Sequence, residues 1–379
     1  MADIYDETHE LFRDSFRRFV SAEMSPHYEE WETAGIVDRS VYSKAGEHGF
    51  TGMAVPEKFG GGGIDDFRFN AVISEELARA GLGGAGLGLA LHNDITTPYF
   101  LELCNGEQRA RWLPGIASGE LITAIAMTEP GTGSDLASIA TTAVRDGEEF
   151  VVNGAKTFIT NGINSDLVIT VCRTGEGRSG LSLLVVERGM DGFERGRNLD
   201  KIGQHSADTA ELFLSDVRVP VGNLLGDEGK ALDYLAFNLA QERLSLAVYG
   251  LAASRAALDW TVAYVKERTA FGQSIASFQN TKFVLAEVAT EIEVTTSFIN
   301  DCLLEHNAGA LGAAQAAMAK LWASELQGRT LDRCLQLFGG YGYMSEYPIG
   351  PAYADARITR IYGGTSEIMK TIIAKEVLG

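Results

Sequence analysis

DYLAFNLAQERLSLAVYGLAASRAAL, residues 233–258, is rich in alanine and leucine and carries almost no helix breaker. Such a run predicts one long helix, and the chain keeps this character nearly unbroken as far as FGGYGY at 338–343. Helices of about 25 to 30 residues packed as a bundle are therefore expected for residues 231–379. Within the run, Glu242 shares a helical face with Leu235, Leu239, Leu246 and Tyr249, at spacings of three, four and seven. A carboxylate on an exposed face is merely solvated. On an apolar stripe it is costly unless paired, and it takes a raised pKa suited to proton transfer near neutrality. Arg243, the next residue, would make it a structural ion pair instead, and the pattern alone leaves both readings open.

Outward from this segment the composition changes twice. The 379 residues, 45% apolar, exceed what one hydrophobic core usually spans, so two or three domains are expected. Over residues 1–122 the stretches ETHELFRDSFRRFVSAEM, FRFNAVISEELARAG and EQRARWLPGIASGE have helical periodicity, interrupted by PEKFGGGG and GLGGAGLG. Over 123–230 short β-branched runs alternate with turn signals, as in EEFVVNGAKTFITNG, SDLVITVCRT, GLSLLVVER and TAELFLSDVRVP. That spacing points to a small barrel or sandwich and not to βαβ units.

With 32 basic against 51 acidic residues, a formal net charge of -19, the molecule repels a polyanion such as nucleic acid. An anionic ligand must then be held by local Arg, Lys and backbone N–H groups. No apolar run approaches the ~20 residues of a membrane span. The opening MADIYDETHELFRDSFRRFV reads as an amphipathic helix with acids in its first turn and not as a signal peptide, so a cytoplasmic location is expected. Cys104, Cys172, Cys302 and Cys334 are widely spaced and read as reduced core residues. The histidines are scattered, none three residues after a Glu, and no metal is expected.

Two glycine loops bear on ligand binding. AIAMTEPGTGSDL, residues 124–136, combines Gly131 and Gly133, which permit close backbone approach, with the hydroxyls of Thr128, Thr132 and Ser134. It is neither a Walker loop nor a dinucleotide fingerprint. RIYGGTSEIMK, residues 360–370, sets two glycines before Thr365, Ser366 and Glu367 and opens the last apolar helix, offering backbone N–H groups there.

Five motifs, AMTEPGTGSD, NGAKTFITNG, KERTAFGQSIASFQ, LQLFGGYGYMSEYPI and RIYGGTSEIM, in this order and spacing make essentially the whole chain resemble the acyl-CoA dehydrogenase family. The resemblance implies an α+β multidomain fold: an N-terminal α-helical domain, a central β-barrel and a C-terminal four-helix bundle. It also implies a homotetramer, a dimer of dimers, with FAD between barrel and bundle. By the same resemblance Ile125, Met127, Thr128, Gly133 and Ser134 line the isoalloxazine, and Ser134 also meets the pantetheine arm of the substrate. Phe158 and Thr160 lie against the flavin, while Arg268, Phe271, Gln279, Gln336 and Gly340 reach the FAD of a neighbouring subunit. Thr365 and Glu367 meet the diphosphate of the subunit's own FAD, assisted by the N-terminus of the last helix.

The chain departs from the family's commonest pattern at one position. Many members carry the catalytic Glu at the first glycine of GGTS, where this chain has Gly363. The isovaleryl and long-chain branches place it on the bundle helix directly before an Arg, which Gln241, Glu242 and Arg243 match. The chemistry so implied has Glu242 remove the α-proton of an acyl-CoA while the β-hydrogen leaves as hydride to flavin N5, giving a trans-2-enoyl-CoA. The Gly363 N–H, with a flavin ribityl hydroxyl, binds the thioester oxygen as charge develops on it. Arg243, Gly364 and Lys375 join Ser134 as substrate contacts, Lys375 standing where an Arg is common and Ala240 where an Asp is usual. Lacking a βαβ dinucleotide site, the chain is expected to pass electrons to an electron-transfer flavoprotein. The implied process is fatty acid or branched-chain acyl degradation, and ERLSLAVYGLAA and AKLWASELQ lean toward the long-chain branch. An oxidase of the same architecture and a non-catalytic binding protein are the alternatives.

Overall fold

The computed structural model describes residues 4–177 and 180–379, so the first three residues of the expected N-terminal helix lie outside it. Seven helices come first: α1 (Glu7–Phe19), α2 (Tyr28–Ala34), α3 (Ser40–Glu47), α4 (Arg68–Arg79), α5 (Gly83–Ala90), α6 (Thr97–Leu103) and α7 (Gly106–Ser118). The start of α1 is fixed by a reciprocal cap. The Asp6 carboxylate accepts from the N–H groups of Thr8 and His9, and the Asp6 N–H in turn donates to the His9 ring at Nδ1. Phe16, Phe19, Trp31, Phe50, Phe69 and Leu77 form the core these helices share.

Eight strands follow: β1 (Thr123–Ala126), β2 (Thr142–Asp146), β3 (Glu149–Thr160), β4 (Leu167–Arg173), β5 (Leu181–Glu187), β6 (Phe193–Asn198), β7 (Thr209–Pro220) and β8 (Leu224–Leu225). They pair in the order β6-β7-β3-β2-β4-β5-β8, with β1 parallel to β4 off this path. Phe193 and Leu212 from one end of the sheet meet Leu184 and Val186 from the other in a single core, so the sheet curls on itself. Among the described residues no hydrogen-bonded ladder joins β6 to β8, so where a barrel was expected the sheet curls without hydrogen-bonded closure. The opposite face of β4 and β5 packs on Tyr99, Phe100 and Trp112 of α6 and α7. Buried on both faces, these two strands read as continuous apolar runs and not as an alternation.

The last part holds α8 (Ala231–Glu267), a hairpin of β9 (Thr269–Ala270) and β10 (Gln273–Ser274), α9 (Gln279–Asn307), α10 (Ala313–Phe338), α11 (Ile349–Ala356) and α12 (Ser366–Leu378). At 37 residues α8 is longer than the sequence suggested. Its middle also differs from a single apolar stripe. Every residue from Glu242 to Val248 is buried, whereas Leu239 and Tyr249 are only half-buried. The reason is position: α9 and α10 cover one side of α8, while α4 and the π-helical turn Leu91–Thr96 cover the other. All four cysteines are buried and unpaired. Among the described residues no helix is long and apolar enough to cross a membrane.

Candidate active site

Glu242 sits at the middle of α8 with 7% of its surface exposed, and its Oε2 has no hydrogen-bond partner. Burial raises its pKa to about 7, against the lowering pull of Arg243 and Lys320. Arg243 is buried too, its Nε also unpartnered, and no ion pair joins the two among the described residues. Of the readings the pattern left open, the structural ion pair is therefore not the one adopted. The carboxylate is left free to take a proton.

Opposite it runs the Gly363–Gly364 turn, with φ of 61° and 95° in the left-handed region that favours glycine. A Cβ built on Gly363 would lie 3.4 Å from Glu242 Oε1 and would collide with Leu246 Cδ1. The helix position and the loop position thus converge on one point. Thr365 caps α12 directly after the turn, its hydroxyl accepting from the Ile368 N–H at 3.3 Å. Tyr99, fully buried on α6 within electrostatic reach of Glu242, has an unpartnered hydroxyl. Folded interiors leave few such groups unpaired, so an orphaned carboxylate oxygen with two further orphaned polar atoms near it marks a place for a ligand. An apolar slot lined by Leu77, Gly86, Leu91, Ile95, Leu246 and Tyr362 opens beside it between α4, α5 and α8.

The other expected contacts fall into two groups. Ile125, Met127, Thr128, Gly133 and Ser134 follow one another along β1 and its loop, with Gly133 and Ser134 exposed at the tip. The loop is tied to β3, which bears Phe158 and Thr160, because the Thr157 N–H donates to the Thr128 carbonyl at 2.9 Å. Below it Lys156 Nζ, fully buried, donates to Glu129 Oε1 at 2.8 Å, the Val171 carbonyl at 2.8 Å and the Met127 carbonyl at 3.2 Å. Phe158 has φ 60° and 68% exposure at an irregularity of the β3–β7 ladder. A bulky residue held in that strained conformation and presented outward suits a ring-stacking platform.

Arg268, Phe271, Gln279, Gln336 and Gly340 gather at the far end of the bundle, at the ends of α8 and α10, the β9–β10 hairpin and the start of α9. Arg268 stacks over the Tyr341 ring at 5.2 Å, and Phe271 is 95% exposed. At 1.5 Å rise per residue, α8 carries Arg268 about 39 Å from Glu242. The fold does not bring this group to Glu242 of the same chain. Glu367 and Lys375 are both exposed on α12, in its first and last turns.

Sequence reasoning missed Tyr99, Lys156 and Lys320. Lys320 was within reach of the argument used for Glu242, being a lone charge in the apolar run AAMAKLWA. Tyr99 carried no signal, because nothing in its own segment tells that α6 packs beside Glu242.

A buried, free carboxylate facing a glycine turn beside an apolar slot is the equipment of an enzyme that draws a proton from carbon next to a carbonyl. The similarities of the chain agree. Models of the acyl-CoA dehydrogenase N-terminal, middle and C-terminal domains match residues 6–120, 124–217 and 232–378. The long-chain specific acyl-CoA dehydrogenase of Sus scrofa mitochondria is 47% identical over 99% of this chain and 87% of its own. The crystal structure of an acyl-CoA dehydrogenase from Geobacillus kaustophilus superposes with a TM-score of 0.97 at 49% identity, all of both chains covered. That of a Bacillus anthracis acyl-CoA dehydrogenase complexed with FAD gives 0.93 at 30% identity, over all of this chain and 69% of that one. The chain belongs to the acyl-CoA dehydrogenase family.

Proposed function

We propose that the protein catalyses FAD-dependent α,β-dehydrogenation of an acyl-CoA thioester to the trans-2-enoyl-CoA, with Glu242 as the base. The observation that carries the assignment is the free, buried Glu242 carboxylate 3.4 Å from the Cβ position of Gly363. The apolar slot takes the acyl chain, Glu242 accepts the α-proton, and the Gly363 N–H holds the thioester oxygen as negative charge grows on it. FAD, when bound, supplies the hydride acceptor for the β-hydrogen. Ile125, Met127, Thr128, Gly133, Ser134, Phe158 and Thr160 hold its ring system, an assignment supported by the exposed, strained Phe158 and the loop tied beside it. The Thr365 hydroxyl and the backbone N–H groups as far as Glu367, at the N-terminus of α12, face its diphosphate. Ser134, Arg243, Gly364 and Lys375 contact the substrate.

Arg268, Phe271, Gln279, Gln336 and Gly340, about 39 Å along α8 from their own Glu242 by helical rise, serve the FAD of a second copy. A homotetramer, a dimer of dimers, follows in this reading, with domains spanning 1–122, 123–230 and 231–379. The electron acceptor is an electron-transfer flavoprotein, the location cytoplasmic, and the acyl chain long, the last supported by the long-chain name of the Sus scrofa relative. Anaerobic titration of the yellow protein with acyl-CoAs of increasing length tests the whole assignment. Stoichiometric bleaching of the flavin, tightest with long chains, is expected. A flavin that no acyl-CoA bleaches would overturn the function, and bleaching confined to short chains would overturn the chain length alone.

A further inference from the structure

Lys320 lies on α10 with its side chain fully buried, and its Nζ donates to the Gly364 carbonyl at 2.6 Å. An ammonium has three donors and a large desolvation cost, so a buried one persists only where carbonyls and a carboxylate repay it. The carbonyl here belongs to the turn that carries the Gly363 N–H. Among the described residues no ion pair of 4.0 Å or less involves Lys320, and the Glu242 carboxylate lies within electrostatic reach of it, so the geometry that holds the ammonium is the Gly364 carbonyl.

We propose that Lys320 is a positioning residue of this centre: its ammonium fastens the Gly364 carbonyl, keeps the Gly363 N–H turned toward the thioester oxygen, and balances the charge of Glu242 once substrate has excluded water. The inference rests on Glu242 acting as the base. The groups that face Glu242 are Arg243 from its own helix, Lys320 from α10, Tyr99 from α6 and Tyr362 from the turn. Lys320 in turn faces Glu242, Arg243, Glu325 and Glu367. With the Lys320 charge removed, Arg243 is the one cation left among the groups facing Glu242, and the carboxyl keeps its proton to higher pH.

Two variants separate the two tasks. Lys320→Met removes donor and charge together, whereas Lys320→Gln keeps an N–H donor and loses only the charge. In rapid-mixing measurements of flavin reduction by acyl-CoA, the acid limb of the rate moves up by about one pH unit in both variants, the lower end of what one neighbouring charge does to a carboxyl. In amide hydrogen exchange of the protein as purified, residues 360–366 exchange roughly ten times faster in Lys320→Met, and near the wild-type rate in Lys320→Gln. An acid limb that stays in place, or unchanged exchange of 360–366 in Lys320→Met, overturns the proposal even if turnover falls. If Lys320→Met does not fold, the acid limb of Lys320→Gln decides. A wild-type flavin that no acyl-CoA reduces refutes the reaction instead, and the exchange measurement, made without substrate, still tests the fastening.

Discussion

Glu242 illustrates how one side chain's surroundings fix its chemistry. Burial lifts it to about 7 while Arg243 and Lys320 pull against that rise. In the proposed reaction the ionised form is the base, so flavin reduction at pH 6 should run about ten-fold slower than at pH 8. Stability moves the other way. The folded pKa lies above the ordinary 4.5, so the contribution of this group is complete below about pH 4.5 and is lost as pH rises through about 7. Glu242→Gln should therefore raise the melting temperature more at pH 8 than at pH 5, and an equal rise at both would show that the carboxyl is not held up by burial. The same variant should lose ~10²-fold or more in flavin reduction while still binding acyl-CoA; wild-type rates would remove Glu242 as base. Moving the carboxylate is the sharper test. In Glu242→Gly with Gly363→Glu the new side chain meets Leu246, so part of the activity should return only when Leu246→Ala makes room. No recovery in the triple variant would contradict the convergence of helix and loop. The sequence singled out Glu242 because a charge inside an apolar run is conspicuous, and its reading as a base came from the resemblance. It could not reveal whether Arg243 neutralises it, since adjacent helical residues point in different directions and only packing decides which of them meet.

Among the elements, the loop after β1 depends on a pair buried beneath it. Burial pushes the Glu129 carboxyl up, but the Lys156 ammonium and the Thr141 and Ala140 N–H groups bring it down to about 2. Lys156→Met takes the cation from that buried carboxylate and leaves it only the two backbone N–H bonds, at a cost of up to about 3–5 kcal/mol. It should lower the melting temperature and release FAD, seen as a rise in free-flavin fluorescence; full flavin retention would show that the pair does not hold the loop. β4 and β5 were recognisable as strands from their β-branched runs, and α8 as a helix from its lack of breakers. The way these elements are covered was not. Only the docking of α6 and α7 on the outer face of β4 and β5, and of α4 on α8, makes them buried on both sides. The curl of the sheet was likewise hidden, because it depends on side chains from opposite ends of the strand order meeting.

At the scale of the whole molecule, α8 spans the distance between Glu242 and the group proposed to serve a second copy. Glu242 lies in its middle, and Arg268 caps its far end about 39 Å away by helical rise. Arg268→Ala should loosen both FAD and assembly, because its cation would neutralise a diphosphate held by another copy; unchanged oligomer size by light scattering together with full FAD content would contradict this. The length of that one helix also has a genetic consequence. In the proposed assembly, a gene encoding Glu242→Gln and a gene encoding Arg268→Ala would damage different halves of a shared site, so each would supply what the other lacks. Expressed together in one cell, they should complement. Random pairing leaves one intact site in every mixed pair, about a quarter of all sites, where either gene alone gives none.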